Sequence, residues 1–93
     1  MTELIPQRSY RNDDGTTETW WEQSSSEVRG VQIETTIKTL QRHDGEVIAE
    51  DVTLLLTDHS TPRRIGIPVA ILDEVINALR EAHNAVGNLN TQL

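Results

Sequence analysis

Residues 31–57 read VQIETTIKTLQRHDGEVIAEDVTLLLT, two alternating segments on either side of an Asp-Gly pair. In the first segment the apolar residues, from Val31 to Ile37, fall on one face of an extended chain and polar residues fall on the other. Asp44-Gly45 is the strongest short-range hairpin signal, because a type I′ turn needs positive φ. We therefore predict two antiparallel strands joined at this pair.

The segment after the turn alternates in the same way. Ile48, Val52, Leu54 and Leu56 share one face, with Glu50 as the polar exception. A period of two with one apolar side is typical of a half-buried strand. One face of the hairpin is therefore expected to pack in the core of the protein.

Upstream of the hairpin, residues 16–23 are rich in Thr and Trp, which fit a pleated, half-buried surface. The serines at 24–26 are expected to form a polar loop. The cluster at 12–15, Asn-Asp-Asp-Gly, is typical of a turn and closes at most a weak hairpin. We therefore expect residues 1–15 to be flexible or weakly ordered.

Downstream, residues 58–62 predict a second turn and residues 63–67 a short last strand. Residues 69–86 carry apolar side chains at helical spacing, and Gly87 is expected to end that helix. The remaining residues, 88–93, are expected to fray. The predicted fold is one α+β domain over residues 16–87, an antiparallel sheet of about four strands followed by one C-terminal amphipathic helix.

The apolar residues are almost all aliphatic, since Phe and Cys are absent and only two Trp and one Tyr occur in 93 residues. A core this small is marginal, and without cysteine neither disulfides nor thiolate metal sites can reinforce it. Burial of one face against a second copy is the remaining common remedy. We therefore expect a homodimer, with its interface at Ile71, Val75 and Leu79.

No pattern of catalytic or metal-binding residues stands out. His43, His59 and His83 form no H-x-x-x-H or H-E-x-x-H arrangement and are expected to be solvated. The serines lack a Gly-x-Ser-x-Gly context, and the glycines are isolated rather than gathered in a phosphate-binding loop. The sequence therefore favours a protein that is not an enzyme and holds no metal or cofactor.

Trp20-Trp21 is the most informative pair, because neighbours on a strand point to opposite faces. If a single helix covers one face of the sheet, one indole lies outside the core and is available to a partner. Basic residues on or near the strands are candidates for a basic stripe on the sheet, with ordinary surface charge as an equally weighted alternative. The candidate binding residues are Trp20, Trp21, Arg29, Lys38, Arg42, Arg63 and Arg64.

The Asp-Gly hairpin, followed by residues 63–68, RRIGIP, running into a helix with Leu72, Val75 and Leu79, resembles the positive-cofactor-four-like transcriptional coactivators. The related Pur and Whirly domains share that layout, and the resemblance covers about residues 16–86. It implies a four-stranded curved antiparallel sheet before one helix, helices that pair in a homodimer, and a sheet surface that binds single-stranded DNA.

The net charge of the chain distinguishes two predicted functions. Fifteen acidic against eight basic side chains give a net charge of -7, which repels phosphate but suits a basic protein. We therefore favour a small regulatory protein that binds another protein, such as a phage-encoded inhibitor or adaptor of nucleic-acid-handling machinery, presenting carboxylates to it. The alternative is a regulator of transcription that binds single-stranded DNA or RNA on its sheet face. The carboxylates in question are Asp13, Asp14, Glu18, Glu22 and Glu27.

The location of the protein is predicted from two further features. No apolar stretch approaches the roughly 20 residues of a membrane span, and residues 1–10 lack the apolar run of a secretion signal. We therefore expect no membrane partner and a cytoplasmic location.

Overall fold

Five antiparallel strands form one open sheet in chain order, and one helix follows them. The structure is a computed structural model that describes residues 4–92 apart from the side chains of Asn90 and Gln92. It confirms the α+β class and the antiparallel sheet before a C-terminal helix. The elements are β1 (Ile5–Arg11), β2 (Thr17–Val28), β3 (Val31–Gln41), β4 (Val47–Asp58), β5 (Thr61–Pro68), a 3-10 turn (Val69–Ile71) and α1 (Leu72–Gln92).

The sheet has five strands rather than about four, because the segment before residue 16 supplies β1. This edge strand pairs antiparallel with β2, with Arg8 opposite Trp20 and Tyr10 opposite Glu18. The turn at 12–15 thus closes a real hairpin, held by the Asn12 N–H bonded to the Thr16 carbonyl at 2.8 Å. Weak intrinsic strand preference in this segment is outweighed by the ladder that β2 offers.

Two boundaries differ from the sequence prediction. The serines at 24–26 lie inside β2 rather than in a loop, since the Ser24 hydroxyl bonds that of Thr35 on β3 at 2.7 Å and the ladder continues to Val28. Gly87 does not end the helix, which runs to Gln92. One interior glycine costs a helix about 1 kcal/mol, too little to stop it by itself.

Bulges in β2 and β4 change which side chains share a face. The ladder shifts at Gln23, so that Glu22 and Glu27 lie on the same side although they are five residues apart. It shifts again at Glu50, which places Ile48 opposite Leu40 and away from Val52. The predicted grouping of Ile48 with Val52 is therefore wrong, because an extra residue reverses the alternation.

The sheet has one apolar and one polar face. Cross-strand partners share a face, so the register assigns each side chain. The apolar face carries Trp21, Val31, Ile33, Ile37, Val52, Leu54, Leu56, Ile65 and Ile67. The polar face carries Arg8, Glu18, Trp20, Glu22, Glu27, Glu34, Lys38, Glu50 and Arg64.

The helix does not cover either face. In the described part of the chain, α1 packs mainly on the 3-10 turn before it and makes no extensive contact with any strand. The molecule measures 57 × 29 × 26 Å, and no described side chain is fully buried. The expectation that the helix covers one face of the sheet is therefore not met within this chain, where only the three residues Val69–Ile71 separate β5 from α1.

The hairpin turns are of two kinds. Arg29-Gly30 and His59-Ser60 are two-residue turns in which both residues have positive φ, from 48° to 82°. At Asp44-Gly45 only the glycine has positive φ, 91°, and its N–H bonds the Arg42 carbonyl. This turn is therefore a type I turn followed by a left-handed glycine, not the predicted type I′ turn.

Replacing Ser60 with glycine is expected to stabilise the protein by about 0.5–1 kcal/mol, because Ser60 has a φ of 68° that costs a residue with a Cβ about 1–2 kcal/mol. Chemical denaturation measures the effect. The control is Ser25→Gly within β2, where the same change removes strand preference and should destabilise the protein by about 0.5–1 kcal/mol. A neutral or destabilising Ser60→Gly would contradict the turn geometry.

Candidate functional site

A row of three side chains crosses β1, β2 and β3 on the polar face. Arg8 lies opposite Trp20, and Trp20 lies opposite Lys38. The guanidinium carbon of Arg8 is 4.2 Å from the centre of the Trp20 ring, and the Lys38 ammonium is 5.7 Å from it. Both distances allow attraction between the cation and the ring. The indole is thus held by cations from the strands on its two sides.

Lys38 is also the centre of an ion-pair network. Its ammonium lies 3.1 Å from a carboxylate oxygen of Glu50 and 3.3 Å from one of Glu18. The hydrogen bond to Glu50 is the main cause that raises the pKa of Lys38, and the bond to Glu18 adds to it against the cost of partial burial. The charge of Lys38 is therefore balanced within the sheet, and little of it is left for a ligand.

A groove of about 360 Å³ crosses the polar face. Every strand contributes a side chain to it, which means that the sheet is concave on this side. The lining includes Arg8 from β1, Trp20 from β2, Glu34 from β3, Leu55 from β4 and Arg64 from β5. The lining is mainly polar, and Trp20 and Leu55 are its apolar members.

The polar face as a whole carries more glutamates than bases, in contrast to the two bases, Arg8 and Arg64, and the one acid, Glu34, that line the groove itself. Glu34 lines it and accepts a hydrogen bond from the Gln32 amide at 2.6 Å. The bulge in β2 places further glutamates on the same face of the sheet. Among the described residues of this face, the bases are fewer than the glutamates. The glutamates are Glu18, Glu22, Glu27, Glu34 and Glu50, and the bases are Arg8, Lys38 and Arg64.

The structure brings together only part of the predicted basic stripe. Trp20, Lys38 and Arg64 share the polar face. Trp21 and Arg63 point to the apolar face, where the Trp21 indole N–H donates to the Thr39 hydroxyl at 2.9 Å. The two tryptophans therefore face opposite sides, as the alternation predicts.

The other predicted bases lie in turns. Arg29 occupies the turn between β2 and β3, and Arg42 lies in the turn between β3 and β4, 3.6 Å from Glu46. Arg8, which contacts Trp20, was missed, because it lies in the segment expected to be weakly ordered. Only the pairing of β1 with β2 places it beside the indole, and no local pattern in the sequence indicates that pairing.

The residues predicted at a dimer interface are accessible. Ile71 is 49% exposed and Leu79 is 62% exposed, whereas Val75 is half-buried. The histidines are scattered, with His59 near only Asp58 at 3.4 Å. Within residues 4–92 the structure shows no group of three or more His, Asp or Glu side chains arranged to hold a metal ion.

No family model, curated protein or solved structure matches this chain. The resemblance to the positive-cofactor-four-like coactivators therefore stays a prediction. Among the described residues, no helix has both the length and the apolar character needed to cross a bilayer.

Replacing Lys38 with methionine is expected to lower stability near neutral pH by up to about 1 kcal/mol. Because folding raises the pKa of Lys38, its charged form stabilises the fold below the ordinary value of 10.5, and this contribution is lost as the pH rises through the raised value. Urea unfolding of both chains at neutral and strongly alkaline pH measures it. A stability difference that grows at alkaline pH would contradict the network.

Proposed function

We propose that this chain is a small non-enzymatic, homodimeric regulatory protein that binds another protein through its polar sheet face. The observation that carries the proposal is the groove at Trp20, which lies on a sheet face with more glutamates than bases and is lined by Glu34 as well as by Arg8 and Arg64. The groove suits an extended basic segment of the partner protein. By binding that segment, this protein would act as an inhibitor or adaptor of nucleic-acid-handling machinery. The chain's net charge of -7 attracts the same kind of partner.

Two parts of the groove would contribute differently to such binding. Trp20 and Leu55 offer apolar area, and tryptophan is enriched among the residues that dominate binding energy. Glu34 and its neighbours offer carboxylates to arginine or lysine side chains, which sets orientation and speeds association. A basic chain with apolar or small residues between its charges would use both.

The surroundings of Trp20 favour a protein ligand over a nucleic acid base. Bases stack on the open face of an aromatic ring. Here Arg8 lies over the ring at 4.2 Å and Lys38 approaches it at 5.7 Å. To stack on Trp20, a nucleic acid base would have to displace one of these cations. The phosphates of its strand would then lie close to the carboxylates of Glu18 and Glu34.

Single-stranded nucleic acid is the second candidate. It is favoured by Arg8, Trp20 and Arg64, which line the same groove. Proteins that bind single strands commonly combine positively charged side chains with aromatic rings in this way. This binding would weaken steeply with salt. It would make the protein a regulator that acts on nucleic acid directly.

Titration calorimetry separates the two candidates. One ligand is a peptide in which arginine and threonine alternate, and the other is an oligodeoxythymidine, each tested at low and moderate salt. We expect the peptide to bind with one site for each chain and the oligonucleotide not to bind. Binding of the oligonucleotide alone would favour the second candidate, and a peptide in which glutamate replaces arginine serves as the control for charge.

A further inference from the structure

The chain exposes more surface than a folded monomer of its size. A 10.5 kDa protein is expected to expose about 5,400 Å², whereas this chain exposes 7458 Å². Its radius of gyration is 16.7 Å, against about 12 Å for a compact domain of this length. The excess of about 2,000 Å² lies within the roughly 1,000–2,500 Å² that one subunit contributes to an obligate interface.

Two of the surfaces that the chain exposes are apolar. One is the apolar face of the sheet, where Ile65 is 56% exposed. The other is a stripe along α1, the helix stripe, in which apolar residues recur three and four positions apart and Leu79 is 62% exposed. The helix stripe consists of Leu72, Val75, Ile76, Leu79, Ala82, Val86 and Leu89.

We infer that two copies of this chain exchange helices, so that the helix stripe of each lies across the apolar sheet face of the other. One symmetric interface then covers both surfaces. The homodimer is part of the function proposed above, whereas binding at the polar face has no part in the exchange, so either can fail without the other.

The dimensions fit this arrangement. A helix of 21 residues is about 31 Å long, and a strand of 12 residues such as β4 is about 40 Å long. A helix following a sheet of this kind ordinarily packs on it, whereas α1 makes no extensive contact with the strands of its own chain. A second copy supplies the missing layer.

The residues beside the helix stripe disfavour a simple helix pair. Pairs of helices are selected by opposite charges on both sides of the seam. Here those positions hold Ile76, itself part of the helix stripe, together with Ala78, His83 and Ala85, and they form no pair of opposite charges. A wide stripe with small residues at its side suits contact with a sheet.

Light scattering after size-exclusion chromatography tests the dimer. We expect twice 10.5 kDa for the natural chain and a monomer, or an unfolded chain, for Leu79→Asp, because Leu79 is largely exposed within its own chain. Asn77→Asp adds the same charge to the opposite side of α1 and should remain dimeric. A monomeric natural chain, or a dimeric Leu79→Asp, would overturn the inference.

Cross-linking tests the exchange itself, since the natural chain has no cysteine. A tagged Leu79→Cys chain is refolded with an untagged Ile37→Cys chain and treated with a bismaleimide that spans about 10 Å, the spacing of packed layers. We expect a cross-linked product of the two chains, and none when Thr36→Cys, on the polar face, replaces Ile37→Cys. Absence of the first product, or a product from Leu79→Cys alone, would overturn the exchange.

Discussion

Replacing Ile37 with alanine is expected to lower the free energy of unfolding by about 2–4 kcal/mol. Ile37 lies on the central strand β3, with Trp21 and Val52 beside it on the apolar face. Within one chain it is only half-buried, which would limit the loss to about 1 kcal/mol. The larger value follows if a second copy covers this face.

Urea denaturation at several protein concentrations measures this loss. The control is Thr36→Ala, one position away and on the polar face, which should change stability by less than about 1 kcal/mol. The midpoint of the natural chain should also rise with concentration, since folding and association are linked. An Ile37→Ala loss equal to that of Thr36→Ala would show that the apolar face stays open to solvent.

Replacing Glu34 with lysine is expected to weaken binding of the arginine-threonine peptide at least about tenfold, a loss of about 1.4 kcal/mol. Glu34 lines the groove from β3, and its carboxylate is already oriented by Gln32. The substitution replaces an attraction with a repulsion where a basic side chain would lie. Calorimetry under the conditions used for the natural chain gives the ratio of dissociation constants.

The matched control is Glu74→Lys in the first turn of α1, which changes the net charge by the same amount far from the groove. It should leave the affinity for the peptide almost unchanged. Equal losses in the two variants would mean that the peptide responds to overall charge alone, and the groove would then have no special part in binding.

The strands and most of their faces were predictable, because apolar or Thr side chains alternate with polar ones from Val31 to Thr39 and Val52, Leu54 and Leu56 share one face, although Leu40 and Leu55 lie on the polar face. The bulges at Gln23 and Glu50 were not, since an extra residue in a strand leaves no local signal. Glu50 had appeared as a polar exception on an apolar face. The bulge places it instead on the polar face, beside Lys38.

The position of the helix could not be predicted from its own residues. The spacing of its apolar residues predicts that one side of α1 packs against another surface. The periodicity does not indicate which surface that is. The expectation that the helix covers the sheet of its own chain is not met, since α1 makes no extensive contact with the strands. Among the described residues of the single chain, no side chain is fully buried.

The candidate site was predictable in part for the same reasons. A period of two places Trp20 and Trp21 on opposite faces, and the structure has them so. The basic stripe required knowing where each strand turns, and only Lys38 and Arg64 of the predicted bases join Trp20. Arg8 reaches the indole through pairing across β1 and β2, a contact between residues 12 positions apart in the chain.

The most direct test of the proposed binding face uses the two tryptophans as reporters on opposite faces. The Trp21→Phe chain retains only Trp20, and the Trp20→Phe chain retains only Trp21. On titration with the arginine-threonine peptide, we expect the indole emission of the Trp21→Phe chain to change and saturate, and that of the Trp20→Phe chain to stay constant. A response from Trp21 with none from Trp20 would contradict binding at the polar face.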